Sequence, residues 1–189
     1  GHRYALQGDN LVLFGAGGGI PFYGVERIVN GQRTAYYAQL YGAILDHVVK
    51  DKNIKTVVLF NKALSMDVNP DLLRYDRAPD NSDTLDVYGK GMSGTLRILL
   101  QGGKDVVFVI DSPRMDFDPA ACVSRLANTA PAKMLCAIPR EKHELQTNQY
   151  HRKVQEILKQ YPMVKRWDLA ESLCDARYCW AMRDGIMLY

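Results

Sequence analysis

Three short apolar runs, Leu11–Phe14, Thr56–Phe60 and Asp105–Ile110, constrain this chain more than any other feature. None alternates polar and apolar residues as a half-solvated strand does. Each therefore reads as a strand buried on both faces, the habit of parallel sheets. Between and after them the apolar period changes to that of a helix. Residues 34–51 carry Tyr37, Leu40, Tyr41, Ile44, Leu45 and Val48 at helical spacing. Residues 88–100 carry Met92, Leu96, Leu99 and Leu100 and close on Gly102-Gly103, a C-terminal glycine signal. Residues 143–161 carry Leu145, Tyr150, Val154, Ile157 and Leu158, and Pro162 stops them. Residues 164–169 read as a further short strand, while 65–86 and 114–139 read as polar or irregular connections. Strands alternating with helices predict an α/β fold, a three-layer α/β/α sandwich with a central parallel sheet. It is expected as a single domain over residues 1–189, with the three apolar runs as neighbours in a central parallel sheet.

The first run ends in Gly15-Ala16-Gly17-Gly18-Gly19, followed by Ile20 and Pro21. Glycines after a strand allow a sharp turn and a close approach of backbone to ligand. In open α/β sheets that is also where ligands bind. The segment lacks the dinucleotide fingerprint, because no helix start follows, and it lacks the Gly-Lys-Ser/Thr of a phosphate loop. Gly17, Gly18 and Gly19 are thus candidates for a substrate loop. Asn61, directly after the second apolar run, is expected on the same rim. Asp111-Ser112 also follows a strand, but Pro113 comes next without the glycines of a nucleophile elbow, which argues against a nucleophile there. His143 and His151 lie on a polar-rich helix and are expected to face solvent.

The net charge is +3 with no basic block, so nothing points to nucleic acid. No apolar run approaches the roughly 20 residues of a membrane span. The four cysteines permit three pairings. The local choice, Cys122–Cys136 with Cys174–Cys179, closes two short loops. A zinc site is the rival, but neither pair has knuckle spacing and His2, His47, His143 and His151 do not cluster with them. Free buried thiols are the remaining alternative. The reading favours disulfides, an oxidising compartment, and no metal or cofactor.

Three blocks of the chain together resemble the extracytoplasmic SGNH-type domain fused to membrane acyltransferases of the O-antigen acetylase kind. They are Leu11 to Pro21; Val107 to Arg125, with Asp116-Phe-Asp-Pro119 and Cys122, followed by Cys136-Ala-Ile-Pro-Arg140; and Trp167-Asp-Leu169 through Cys174, Cys179 and Asp184 to Tyr189. The resemblance implies an SGNH-type fold and acyl transfer, with acetyl as the acyl group, to a glycan hydroxyl through a serine acyl-enzyme. The implied setting is polysaccharide or lipopolysaccharide modification in the periplasm. The domain would be membrane-tethered through a fused or associated transmembrane acyltransferase, with an acyl donor and a glycan acceptor as partners.

Gly18 matches the family's second-block glycine, and Asn61 its third-block asparagine; both are oxyanion-hole candidates. The family's Gly-Asp-Ser and Asp-x-x-His blocks have no counterpart between Gly1 and Tyr189. By resemblance, the nucleophilic serine and the Asp–His pair lie just outside both ends. The chain alone is then expected to show no turnover. The alternative is a non-catalytic glycan-binding or accessory domain that retains the fold.

Overall fold

The structure is a computed structural model and describes residues 10–15, 19–29, 32–61, 73–75, 83–123 and 136–188. Along the chain the strands are β1 (Val25–Val29), β2 (Gln32–Thr34), β3 (Thr56–Phe60), β4 (Leu73–Tyr75), β5 (Asp105–Ile110), β6 (Ala137–Pro139), β7 (Lys165–Asp168), β8 (Tyr178–Trp180), β9 (Met182–Arg183) and β10 (Ile186–Met187). The helices are α1 (Tyr36–Lys50), α2 (Thr84–Gln101), α3 (Arg140–Gln160) and α4 (Leu169–Leu173).

Two of the three apolar runs form the strands expected of them, β3 and β5, and they pair in parallel with Leu59 opposite Phe108. β7 joins the other edge of β5, also in parallel, with Trp167 opposite Val109. The result is a mixed α/β architecture, a parallel sheet flanked by helices, consistent with an α/β/α sandwich. Side chains alternate across the sheet. Leu59, Val106, Phe108 and Ile110 point to one face and meet Leu45 and Val48 of α1, Met92, Leu96 and Leu99 of α2, and Val154 and Ile157 of α3. Each such side chain contributes about 1.5–3 kcal/mol by leaving water. The opposite face is more open: Val58, Phe60 and Trp167 are 56%, 53% and 54% exposed.

The first apolar run behaves differently. Leu11 to Phe14 form no strand and are exposed, Leu13 at 90%. A buried strand requires a neighbour to receive its N–H and C=O groups, and β3 and β5 find theirs in each other and in β7. The segment lies beside α1 instead, with the Phe14 ring edge-on to His47 at 5.8 Å.

Two expected loops also contain regular structure. Within 65–86, β4 pairs antiparallel with β1, which carries β2 on its other edge. α2 starts at Thr84 because the Asp83 carboxylate accepts the Asp86 N–H at 3.0 Å, an N-cap. Asp residues favour turns and caps for the same reason, so composition alone does not separate the two. Within 114–139, a 3-10 turn at Pro119–Val123 and strand β6 appear, and β6 pairs antiparallel with β8.

Gly91 explains how α2 reaches the core. A Cβ there would lie 2.3 Å from Val25 Cγ2, so only glycine lets the helix backbone sit this close to β1. At the amino ends of the parallel strands, Lys104 is 6% exposed. Its ammonium donates to the carbonyls of Asp51 at 2.7 Å and Ile54 at 2.8 Å, joining the turn before β3 to the start of β5.

A second small core surrounds the cysteines. All four are paired, Cys122 with Cys136 and Cys174 with Cys179. Met115, Cys122, Ile138, Cys179 and Ala181 bury each other there. Asp175 organises the loop between Cys174 and Cys179. It accepts the N–H groups of Arg177 and Tyr178 at 2.8 Å and the Trp180 indole N–H at 2.6 Å. Those bonds hold its carboxyl at about 2, below the usual range.

Candidate functional site

Because β3, β5 and β7 run in parallel, their carboxyl ends share one rim. Asn61 follows β3, Asp111 follows β5, and Asp168 closes β7. The sequence therefore puts a polar residue at each strand end, where an open α/β sheet binds ligands. Asn61 and Asp111 are both only 5% exposed. The Asp111 carboxylate accepts the Ser112 N–H at 2.8 Å, and that of Asp168 accepts the Ala170 N–H at 3.0 Å, capping α4.

Asn61 is held at one end only. Its Oδ1 accepts the Tyr88 hydroxyl at 3.3 Å, while its Nδ2 has no partner among the described residues. A buried amide N–H without an acceptor is costly, about 1–3 kcal/mol, and needs a reason. Tyr88 sits on α2, fully buried, between the Phe22 ring at 4.9 Å and the Tyr150 ring at 5.7 Å. Burial, with Tyr150 beside it, pushes its phenol far above the usual range, so it stays protonated and remains a donor.

The glycine segment approaches the same cluster. Gly19 is packed tightly: a Cβ would come within 2.7 Å of Tyr37 Cδ1 and of the Tyr41 hydroxyl. Ile20 and Phe22 then enter the core, and Phe22 meets Tyr88. Gly19 and Asn61 thus lead to one buried neighbourhood. Gly17 and Gly18 lie outside the described residues.

The histidines of α3 depart from expectation. His143 is 2% exposed, because the helix packs on α2, β6 and β8 and leaves this side chain inside rather than toward water. Neither of its ring nitrogens has a partner among the described residues, and no described serine hydroxyl bonds this imidazole. The His151 ring stands 5.7 Å away. Burial first, then His151 and Arg140, lower the His143 pKa to about 4, against the opposing pull of Asp168 and Glu144.

A neutral imidazole that resists protonation stabilises the fold above its unfolded pKa of ~6.5 and ceases to do so as pH falls toward 4. The expected loss is on the order of 2 kcal/mol once water screening is allowed for. Urea midpoints measured from pH 7 to pH 4 should fall more steeply for the natural chain than for His143→Leu. Parallel slopes would remove His143 from the acid response.

Tyr88 and Tyr150 were not candidates from sequence, although both occupy inward helical positions. A buried phenol requires a polar partner, and that requirement is the one signal that points to them. Among the described residues no three His, Cys, Asp or Glu side chains converge to hold a metal. A groove of about 490 Å³ lies between α2 and α3 and is crossed by the Lys153–Asp86 ion pair.

The parallel sheet with a polar rim agrees with the comparison that decides the family. A family model described as an SGNH domain fused to AT3 domains matches residues 3–189. The chain belongs to this SGNH domain family. No curated protein and no solved structure matches it. In the family, the SGNH domain is joined to AT3 domains, which are transmembrane acyltransferases, so an acyltransferase-associated, SGNH hydrolase-like role follows. Fusion to such domains and the two disulfides of this SGNH domain suggest an extracytoplasmic, membrane-tethered position. Among its described residues no helix is long and apolar enough to cross a membrane.

Proposed function

We propose that this SGNH domain transfers an acetyl group to a glycan hydroxyl through a serine acyl-enzyme, as the periplasmic part of a membrane-bound O-acetyltransferase acting on lipopolysaccharide or a related polysaccharide. The observation that carries this reading is the Asn61 amide, buried at a strand end with its Nδ2 unpartnered among the described residues. Acyl transfer needs a nucleophile, a base, a group orienting the base, and donors aimed at the developing oxyanion. Asn61 Nδ2 is one such donor, and the backbone N–H at Gly18 is the second. Gly17 and Gly19 are assigned to the substrate loop on this reading. The serine and the Asp–His pair belong to segments that flank residues 1–189 in the complete protein.

In this scheme the serine Oγ attacks the acetyl carbonyl carbon, and the carbonyl π pair moves onto oxygen. Asn61 and Gly18 donate to that oxyanion. The donor's leaving group departs with the proton the histidine took from serine. A glycan hydroxyl then attacks the acyl-serine, giving its proton to histidine, and the serine oxygen leaves and is reprotonated.

Hydrolysis of p-nitrophenyl acetate by the complete membrane protein, set beside residues 1–189 alone, tests this. Turnover is expected from the complete protein and none above background from residues 1–189, since donors without a nucleophile leave at most a residual rate. Ordinary enzymatic turnover by residues 1–189 would overturn the reading and move attention to Asp111-Ser112. A complete protein that binds glycan without cleaving the ester would instead be an accessory, glycan-binding domain.

A further inference from the structure

We propose that Tyr88 is the positioning residue that makes Asn61 a donor, an inference that rests on the acyl-transfer reading above. A primary amide is nearly symmetric in shape but opposite in polarity at its two ends. Rotated by half a turn, Asn61 would present Oδ1 to an oxyanion and repel it. Position alone therefore does not give Asn61 its role; something must choose the end.

Tyr88 makes that choice. Its hydroxyl donates to Asn61 Oδ1 at 3.3 Å, which leaves Nδ2 as the end without a partner among the described residues. The phenol cannot swing away. The ring is fully buried and is gripped edge-on by Phe22 at 4.9 Å and Tyr150 at 5.7 Å. Its helix is fixed in register by the Asp83 cap and by the close approach at Gly91 to Val25 and Phe22. Phe22 lies only three residues after Gly19 in sequence, so the ring that grips Tyr88 is tethered to the glycine segment. The anchoring of the chain just after Gly19 and the polarity of Asn61 thus share one buried aromatic contact.

The test uses the complete membrane protein and p-nitrophenyl acetate, with kcat and KM measured separately. Asn61→Ala should lower kcat by ~10²–10³. Tyr88→Phe, which keeps the ring and loses the hydroxyl, should lower kcat at least about twofold with KM unchanged, because an amide free to sample both orientations presents its donor only about half the time. The double variant should be no slower than Asn61→Ala alone, since Tyr88 acts only through Asn61. Placing 4-aminophenylalanine at position 88 restores a donor and should recover most of the loss. If Tyr88→Phe does not fold, 4-fluorophenylalanine fills the hydroxyl's space without donating and serves in its place.

Unchanged kcat in the non-donor variants, beside a slow Asn61→Ala, overturns the role of Tyr88 and leaves the acyl-transfer reading intact. Multiplicative losses in the double variant likewise overturn it. Unchanged kcat in Asn61→Ala removes the oxyanion assignment itself, and the role of Tyr88 with it.

Discussion

Asn61→Ala is expected to reduce acetyl-ester turnover by the complete protein by ~10²–10³, with the loss in kcat rather than KM. The ground-state carbonyl is a weak acceptor and the tetrahedral oxyanion a strong one, so a donor of this kind acts mainly in the transition state. At Asn61 the amide is already buried and already oriented, with its Oδ1 held by Tyr88 and its Nδ2 unpartnered among the described residues. A donor held in place before charge develops is the kind that contributes most. The substitution also strands the Tyr88 hydroxyl, at a cost to stability of about 1–3 kcal/mol. Melting must therefore be recorded beside kinetics. Asn61→Asp makes a sharper control: its carboxylate would face the oxyanion, and kcat should fall at least as far. Either variant retaining wild-type kcat while folded would remove Asn61 from the chemistry.

Removing the disulfides is the second large expected effect. Cys122–Cys136 spans 14 residues and Cys174–Cys179 spans 5. Loop-closure entropy assigns them about 3 and about 2 kcal/mol. A domain of this size is stable by only ~5–15 kcal/mol, so losing both removes a third of that margin or more. The loss should be local at first. Met115, Ile138 and Ala181 form a core too small to persist without its crosslinks, whereas the core between the sheet and α1–α3 contains no cysteine. Hydrogen exchange under reducing conditions should show β6 and β8 opening while β3 and β5 stay protected. A simultaneous loss of protection in both regions would show that the small core is not an independent unit. Urea midpoints for the paired Cys→Ser variants give the magnitudes directly.

The parallel sheet was legible where local pattern and long-range pairing agreed. Thr56–Phe60 and Asp105–Ile110 are apolar on both faces and pair with each other. Leu11–Phe14 has the same composition and stays exposed, because an apolar run states what a strand would bury and not which neighbour it will find. The β1–β2 hairpin was obscured by a charge: Glu26 is buried against Arg33, which breaks the alternation. The Asn30-Gly31 pair is a hairpin signal that apolar periodicity does not use.

At the site, the strand-end position of Asn61 could be read from the run before it. Its dependence on Tyr88, 27 residues away, could not, since that contact exists only once α2 has packed on the sheet. The burial of His143 was hidden for a similar reason. A polar helix face reads as solvated until the elements that pack on it, here α2, β6 and β8, are known.

The Lys104 clamp has a consequence for how this protein can change. It fastens the turn ahead of β3 to the first residues of β5, at the opposite end of the strands from Asn61. β3 is five residues long, so the alignment fixed there is carried along a stiff, short lever to the rim. Inserting or deleting one residue between Ile54 and Asn61 would shift the asparagine by about 3.3 Å and turn its side chain to the other side of the sheet. Length is therefore more tightly prescribed than composition in this segment. Val57 can exchange with another branched residue at little cost, but the count of residues from clamp to amide cannot drift. Insertions are tolerable only where no such ruler runs, and lineages of this domain should differ in loop length on the far side of Asn61 while keeping that interval fixed.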